Sequence, residues 1–194
     1  MEIKTIVVGS LETNCYIVSL PERNDCLVID PGDEAEKIMA QTYGKEVSAV
    51  LLTHGHYDHT GAMDAFSCPV YIHPADEIML KDAAWSAMGE GSPFQPRKGD
   101  LRFIMEGSRL HLAGMDIQVL HTPGHTPGCV CYQFDSALFT GDTLFRHGYG
   151  RTDLMGGNFS QLVMSLRRLY RLDPETPFYS GHGAPSTIAK ERGH

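Results

Sequence analysis

Three imidazoles and a carboxylate stand inside six residues at His54-Gly55-His56-Tyr57-Asp58-His59. The stretch follows an apolar run, residues 47–52, that reads as a buried strand, so these side chains fall on the loop where the strand ends. In extended backbone His54 and His56 point to one side, and Asp58 and His59 follow past the bend that Gly55 permits. Unpaired imidazoles and carboxylates are costly to bury. A divalent cation removes that cost, which makes the cluster a metal-ligand set rather than packing material.

Three later loops carry the same kinds of group. His125 lies in His121-Thr122-Pro123-Gly124-His125-Thr126-Pro127-Gly128, after the alternating segment 116–120. Asp142 lies in Thr140-Gly141-Asp142-Thr143, after 137–139, and His182 in Ser180-Gly181-His182-Gly183, after 177–179. Each short apolar run gives way to Gly or Pro, the mark of a strand-end loop. His121 and His125 have the i, i+4 spacing of a helical pair, but Pro123-Gly124 rules against a helix. His125 is therefore the ligand candidate, His121 is read as structural or as a support behind a ligand, and His73 as structural.

The ordered set of His-x-His-x-Asp-His, His125, Asp142 and His182 resembles the metallo-β-lactamase superfamily of metal-dependent hydrolases, from the first strands to Gly181-His182-Gly183. The resemblance implies two divalent metals. His54, His56 and His125 would hold one, Asp58, His59 and His182 the other, and Asp142 would bridge them. Asp30, in Ile29-Asp30-Pro31-Gly32, is similar to a family acid that orients a ligand imidazole, though the four residues also make an ordinary turn. A nitrogen-and-oxygen ligand set suits zinc, and also iron or manganese. Two such ions acidify a water they share, bringing its pKa down to roughly 7, so the implied nucleophile is a metal-bridging hydroxide, with Asp58 as the catalytic carboxylate beside it.

Residues 144–153 resemble the G-x-G-R stretch of glyoxalase II thioesterases and persulfide dioxygenases, with Tyr149 where those commonly have Cys. Arg151 could clamp a substrate carboxylate or pair with Asp153, and His147 and Tyr149 are the neighbouring substrate-side candidates. Only 12 residues follow His182, so the C-terminal helical domain of typical glyoxalase II is not expected, and residues 1–194 read as one catalytic domain. The implied activity is that of a short glyoxalase-II-like thioesterase acting on a small S-acyl thiol. An iron-dependent persulfide dioxygenase and a lactonase are the alternatives. Several true β-lactamases place a thiolate where Asp142 stands here, which sets this chain apart from them.

With 194 residues, 42% of them hydrophobic, the chain can build a core without disulfides. A net charge of −8 argues against nucleic acid as a partner, and no run is long enough to span a membrane. Five cysteines, an odd number without regular spacing, and a start without a signal sequence point to the reducing cytoplasm. Cys129 and Cys131 read as small core residues. The sequence leaves the oligomeric state open.

The elements that must position these loops follow from pattern. Residues 3–8, 15–19, 26–29 and 70–72 read as strands, 109–112 with 116–120 as one hairpin, and 129–134 with 137–140 as another. Asp33 with Glu36 starts a helix through about residue 43; residues 60–66 and 75–84 read as further helices, and 86–100 as a loop. Asn158 with Gln161 starts the last long helix, through Tyr170, with Leu162, Leu166 and Leu169 on its apolar stripe. Strands in two groups, each followed by helix, fit an α/β chain. The resemblance implies a four-layer αββα sandwich of two mixed sheets, with the metals at one edge.

Overall fold

Alternation along the strands sorts the apolar side chains into three layers. In the computed structural model, which describes residues 1–88 and 94–192, β2 (Thr13–Ser19) and β3 (Asp25–Ile29) send Tyr16, Val18, Leu27 and Ile29 into a central core. Their intervening residues Cys15, Ile17, Cys26 and Val28 enter a second core on the opposite face. Strand β9 (Val130–Phe134) divides in the same way: Val130, Tyr132 and Phe134 meet the central core and Cys131 faces a third. Strands with both faces buried lie between two further layers.

The first sheet runs in chain order: β1 (Glu2–Val8), β2, β3, β4 (Glu46–Leu51), β5 (Pro69–Ile72) and β6 (Asp100–Phe103). The first three strands are antiparallel neighbours, and β3 to β6 are parallel. The second sheet contains β7 (Arg109–Leu112), β8 (Met115–His121), β9, β10 (Ala137–Gly141), β13 (Pro177–Ser180) and β14 (Ser186–Thr187). There β10 and β13 are the parallel pair. A two-stranded ribbon, β11 (Leu144–Phe145) with β12 (Gly148–Tyr149), follows β10. Helix α1 (Ala35–Ala40) buries Ile38 on the outside of the first sheet, and α3 (Phe159–Leu169) buries Leu162, Leu166 and Leu169 on the outside of the second. Short helices α2 (Tyr57–Thr60) and α4 (Ile188–Glu191) complete the set. The result is the αββα sandwich of two mixed sheets.

Several helical expectations need correction. The helix expected over 33–43 is only α1, because Glu34 adopts left-handed backbone (φ 51°) and its carboxylate accepts the Gly9 N–H and Lys37 instead of closing a capping box. The helix expected over 60–66 divides into α2 and a 3₁₀ turn at Met63–Ala65. That expected over 75–84 is a 3₁₀ helix, Pro74–Leu80, capped by the His73 ring, which accepts from the Ala75 N–H. Part of the loop expected over 86–100, residues 89–93, lies outside the described residues; its last residue, Asp100, opens β6. At the last long helix Asn158 accepts the Gln161 N–H at 3.0 Å. All five cysteines are unpaired, with Cys129 and Cys131 buried.

Candidate metal centre

Parallel neighbours place their C-terminal ends side by side, and a ligand site forms there because the loops converge. Asp30 follows β3, His54 follows β4, Asp142 follows β10 and His182 follows β13. The two sheets are stitched at this end by the Asn14 N–H, which donates to Gly181 O at 2.7 Å, while within the second sheet Gly181 N–H donates to Gly141 O at 2.8 Å. Gly181 is required for the close approach. A Cβ there would lie 2.1 Å from Asp142 Oδ1 and 2.7 Å from His59 Cε1.

All seven ligand candidates meet at this edge. His54, His56 and His125 bring one ring nitrogen each into a single cluster, and Asp58, His59 and His182 form a second trio. His56 Nδ1 lies 3.2 Å from His54 Nε2 and 2.9 Å from His125 Nε2. Asp58 Oδ2 lies 3.4 Å from His59 Nε2 and 3.3 Å from His182 Nε2. Asp142 stands between the trios, with Oδ1 3.4 Å from His59 Nε2 and Oδ2 3.6 Å from His125 Nε2 and 3.5 Å from His182 Nε2.

The outer nitrogens explain why the inner ones point inward. His59 Nδ1 lies 2.9 Å from Asp30 Oδ2, His125 Nδ1 2.7 Å from Arg151 O and His182 Nδ1 3.0 Å from Leu11 O. His54 Nδ1 lies 3.1 Å from Thr53 Oγ1, whose own hydrogen goes to Asp30 Oδ2 at 2.6 Å. With Nδ1–H donating outward in each, the Nε2 lone pairs of four rings face the centre. Asp30 thus braces two imidazoles, a role that an ordinary turn does not require. It does so from left-handed backbone at φ 51°.

Electrostatics divide the rings. Burial, then the fields of His59, His56 and His125, push His54 well below the ordinary imidazole range. Burial and then His125 lower His56 to about 3. For His59 burial acts in the same direction, but Asp58, Asp142 and Asp30 outweigh it and raise it to about 10. Burial pushes the Asp58 carboxyl up, while His59 and hydrogen bonds from His182 and Thr13 hold it well below the usual range. Among the described residues His59 Nε2 and Asp142 Oδ1 are buried without a hydrogen-bond partner. Buried polar atoms left without partners and aimed at one another are satisfied by a cation between them, and the donor set fits divalent metal.

The proposed substrate side is arranged differently. Arg151 pairs its guanidinium with Asp153 through two 2.7 Å contacts, both groups largely exposed, while its carbonyl braces His125. His147 takes left-handed backbone (φ 63°), and its N–H donates to Glu191 at 2.7 Å. Tyr149 is half exposed and contacts Phe159. A cavity of about 200 Å³ opens beside Asp58, lined by Leu11, Thr13, Tyr57, Met88 and Arg97 among others. Sequence pattern gave no sign of Thr13, which donates to Asp58 Oδ2 at 2.9 Å, or of Thr53 and Arg97. Thr53 could have been suspected as the hydroxyl adjoining His54 at the strand end; a brace made by a backbone carbonyl leaves no mark in sequence.

Residues 8–182 match the family model described as the metallo-beta-lactamase superfamily. The chain is 34% identical to the hydroxyacylglutathione hydrolase GloC of Haemophilus influenzae, covering 99% of this chain and 95% of that one. Among solved structures it superimposes on the BLEG-1 B3 metallo-beta-lactamase with a TM-score of 0.91 at 36% identity, covering 100% and 97% of the two chains. It also superimposes on TTHA1623, solved in a di-iron-bound form, with a TM-score of 0.86 at 40% identity, covering 97% and 96%.

Proposed function

The chain belongs to the metallo-β-lactamase superfamily, and from that footing we propose that it is a dinuclear metal-dependent thioesterase cleaving small S-acyl thiols. The observation that carries the dinuclear reading is Asp142, whose oxygens lie near His125 of one trio and near His59 and His182 of the other. The similarity to GloC, named for hydrolysis of a hydroxyacyl thioester, supports the choice of bond.

His54, His56 and His125 would hold one ion and Asp58, His59 and His182 the second, with Asp142 shared. Zinc suits these donors, and iron, present in TTHA1623, suits them as well. Bound there, two divalent ions supply an acidified water as nucleophile and a Lewis acid for the acyl oxygen. The protein's own part is to hold the donors and move the proton. Asp58, which accepts a hydrogen bond from Thr13, would take the water's proton at its carboxylate and release it to the departing sulfur. A carbon–oxygen bond forms, the carbon–sulfur bond breaks, and the products are a carboxylic acid and a thiol. The cavity beside Asp58 receives one arm of the substrate.

The test is release of free thiol from a 2-hydroxyacyl thioester, with oxygen excluded and metal content measured. Sustained turnover is expected. Negligible thioester turnover, with oxygen consumption on a persulfide and a single bound iron, would transfer the assignment to a dioxygenase. The 36% identity to BLEG-1 favours β-lactam hydrolysis as a second reading. A chromogenic cephalosporin cleaved much faster than any thioester would establish that reading instead.

A further inference from the structure

Asp76 is a completely buried carboxylate outside the seven-residue cluster, on the 3₁₀ helix that follows β5. Its Oδ2 accepts the Gly55 N–H at 3.1 Å and the Thr126 hydroxyl at 2.6 Å, and its Oδ1 accepts the Gly128 N–H at 2.6 Å. Gly55 separates His54 from His56, and Thr126 follows His125. One side chain therefore ties together two loops that lie far apart in sequence. Among the described residues no arginine or lysine pairs with it; His121, which also holds Pro127 O at 2.9 Å, and the buried Cys129 are the nearby titratable groups.

Burial pushes Asp76 up to about 6, against the opposing pull of Thr126, Gly128 and Gly55. Such a carboxylate costs more than an apolar residue of equal size would, so its gain is geometric. The packing around it is correspondingly close: a Cβ on Gly128 would lie 2.5 Å from Asp76 Oδ1. The distance thus fixed is the one between the loops of His56 and His125, whose inner nitrogens are 2.9 Å apart.

We propose that Asp76 is the positioning residue for the three-histidine half of the centre, setting the spacing of His56 and His125 and so the metal affinity of that half. The inference rests on the metal-binding reading above. Asp76→Asn puts an amide where only acceptors fit. It should lower zinc affinity by roughly 10–100-fold, the usual effect of losing a group that braces a ligand. Zinc retention against a competing chelator and the visible spectrum of the cobalt(II)-substituted protein both report it without reference to turnover.

Glu191→Gln is the control, since Glu191 is also a buried carboxylate but contacts Ser186 and the His147 N–H. It should leave zinc retention unchanged even if melting falls. Thr126→Val removes one donor and serves if Asp76→Asn does not fold; it should weaken retention in the same direction. Wild-type retention in Asp76→Asn, or in Thr126→Val where that variant decides, overturns the role, as does equal loss in Glu191→Gln. Wild-type protein that binds no zinc, iron or cobalt would sink the centre itself, and Asp76's role with it.

Discussion

The proton on His59 is where the metal-free and metal-loaded proteins part. Asp58, Asp142 and Asp30 outweigh burial and raise this buried ring to about 10. Because that lies above the unfolded value of about 6.5, the stabilisation is complete below pH 6.5 and is lost as pH rises through 10. A metal at Nε2 replaces the proton, so loaded protein should not show this loss. Melting temperatures of chelated and loaded samples between pH 7 and 10 should therefore diverge, with only the chelated sample falling; parallel curves would show that no metal takes the proton's place. At the same scale, Arg97 has a buried Nε without a partner among the described residues and lines the cavity beside Asp58, whereas Arg151 is engaged by Asp153. For an acidic thioester, Arg97→Ala should raise KM several-fold while Arg151→Ala changes it little. The reverse order in steady-state kinetics would return the anion-binding role to Arg151.

At the scale of elements, the centre depends on strand ends brought into register by glycine. Gly181→Ala drives a methyl into Asp142 and His59, and only movement of β13 or of Asp142 can relieve the clash. The variant should lose metal while keeping its far-ultraviolet circular dichroism; full metal retention would show that the close approach is dispensable. Helix α3 makes the opposite case. Leu162 is fully buried beneath it, and Leu162→Ala should cost roughly 2–5 kcal/mol in denaturant unfolding. Its backbone N–H and Cα also crowd Gly124, next to His125. The histidine-bearing loops were legible in sequence because ligand side chains at strand ends stand out from their apolar neighbours. Strand β6 was not, since Asp100–Phe103 is a four-residue edge strand at the end of a Gly- and Pro-rich stretch, with only Leu101 turned toward the core. The 3₁₀ helix bearing Asp76 resembles an α-helix in composition, and its carboxylate resembles a solvated one until the two loops close over it.

On the scale of the whole molecule, the first sheet supplies Asp30, His54, His56, Asp58 and His59, and the second supplies His125, Asp142 and His182. Neither sheet holds a complete centre. Packing of the two inner faces, through Leu27, Ile29, Leu51, Val130, Tyr132 and Phe139, is what brings the halves together. Metal binding and docking of the sheets should therefore be coupled, with Asp142 the joint. No helix among the described residues is long and apolar enough to cross a membrane. Elemental analysis of wild-type protein and Asp142→Ala, each purified with a saturating divalent metal and then desalted, addresses the shared centre most directly. Wild type should hold about two ions per chain, as a two-metal site requires, and Asp142→Ala should hold clearly fewer. An unchanged metal load in Asp142→Ala would contradict the bridging role on which the dinuclear assignment rests.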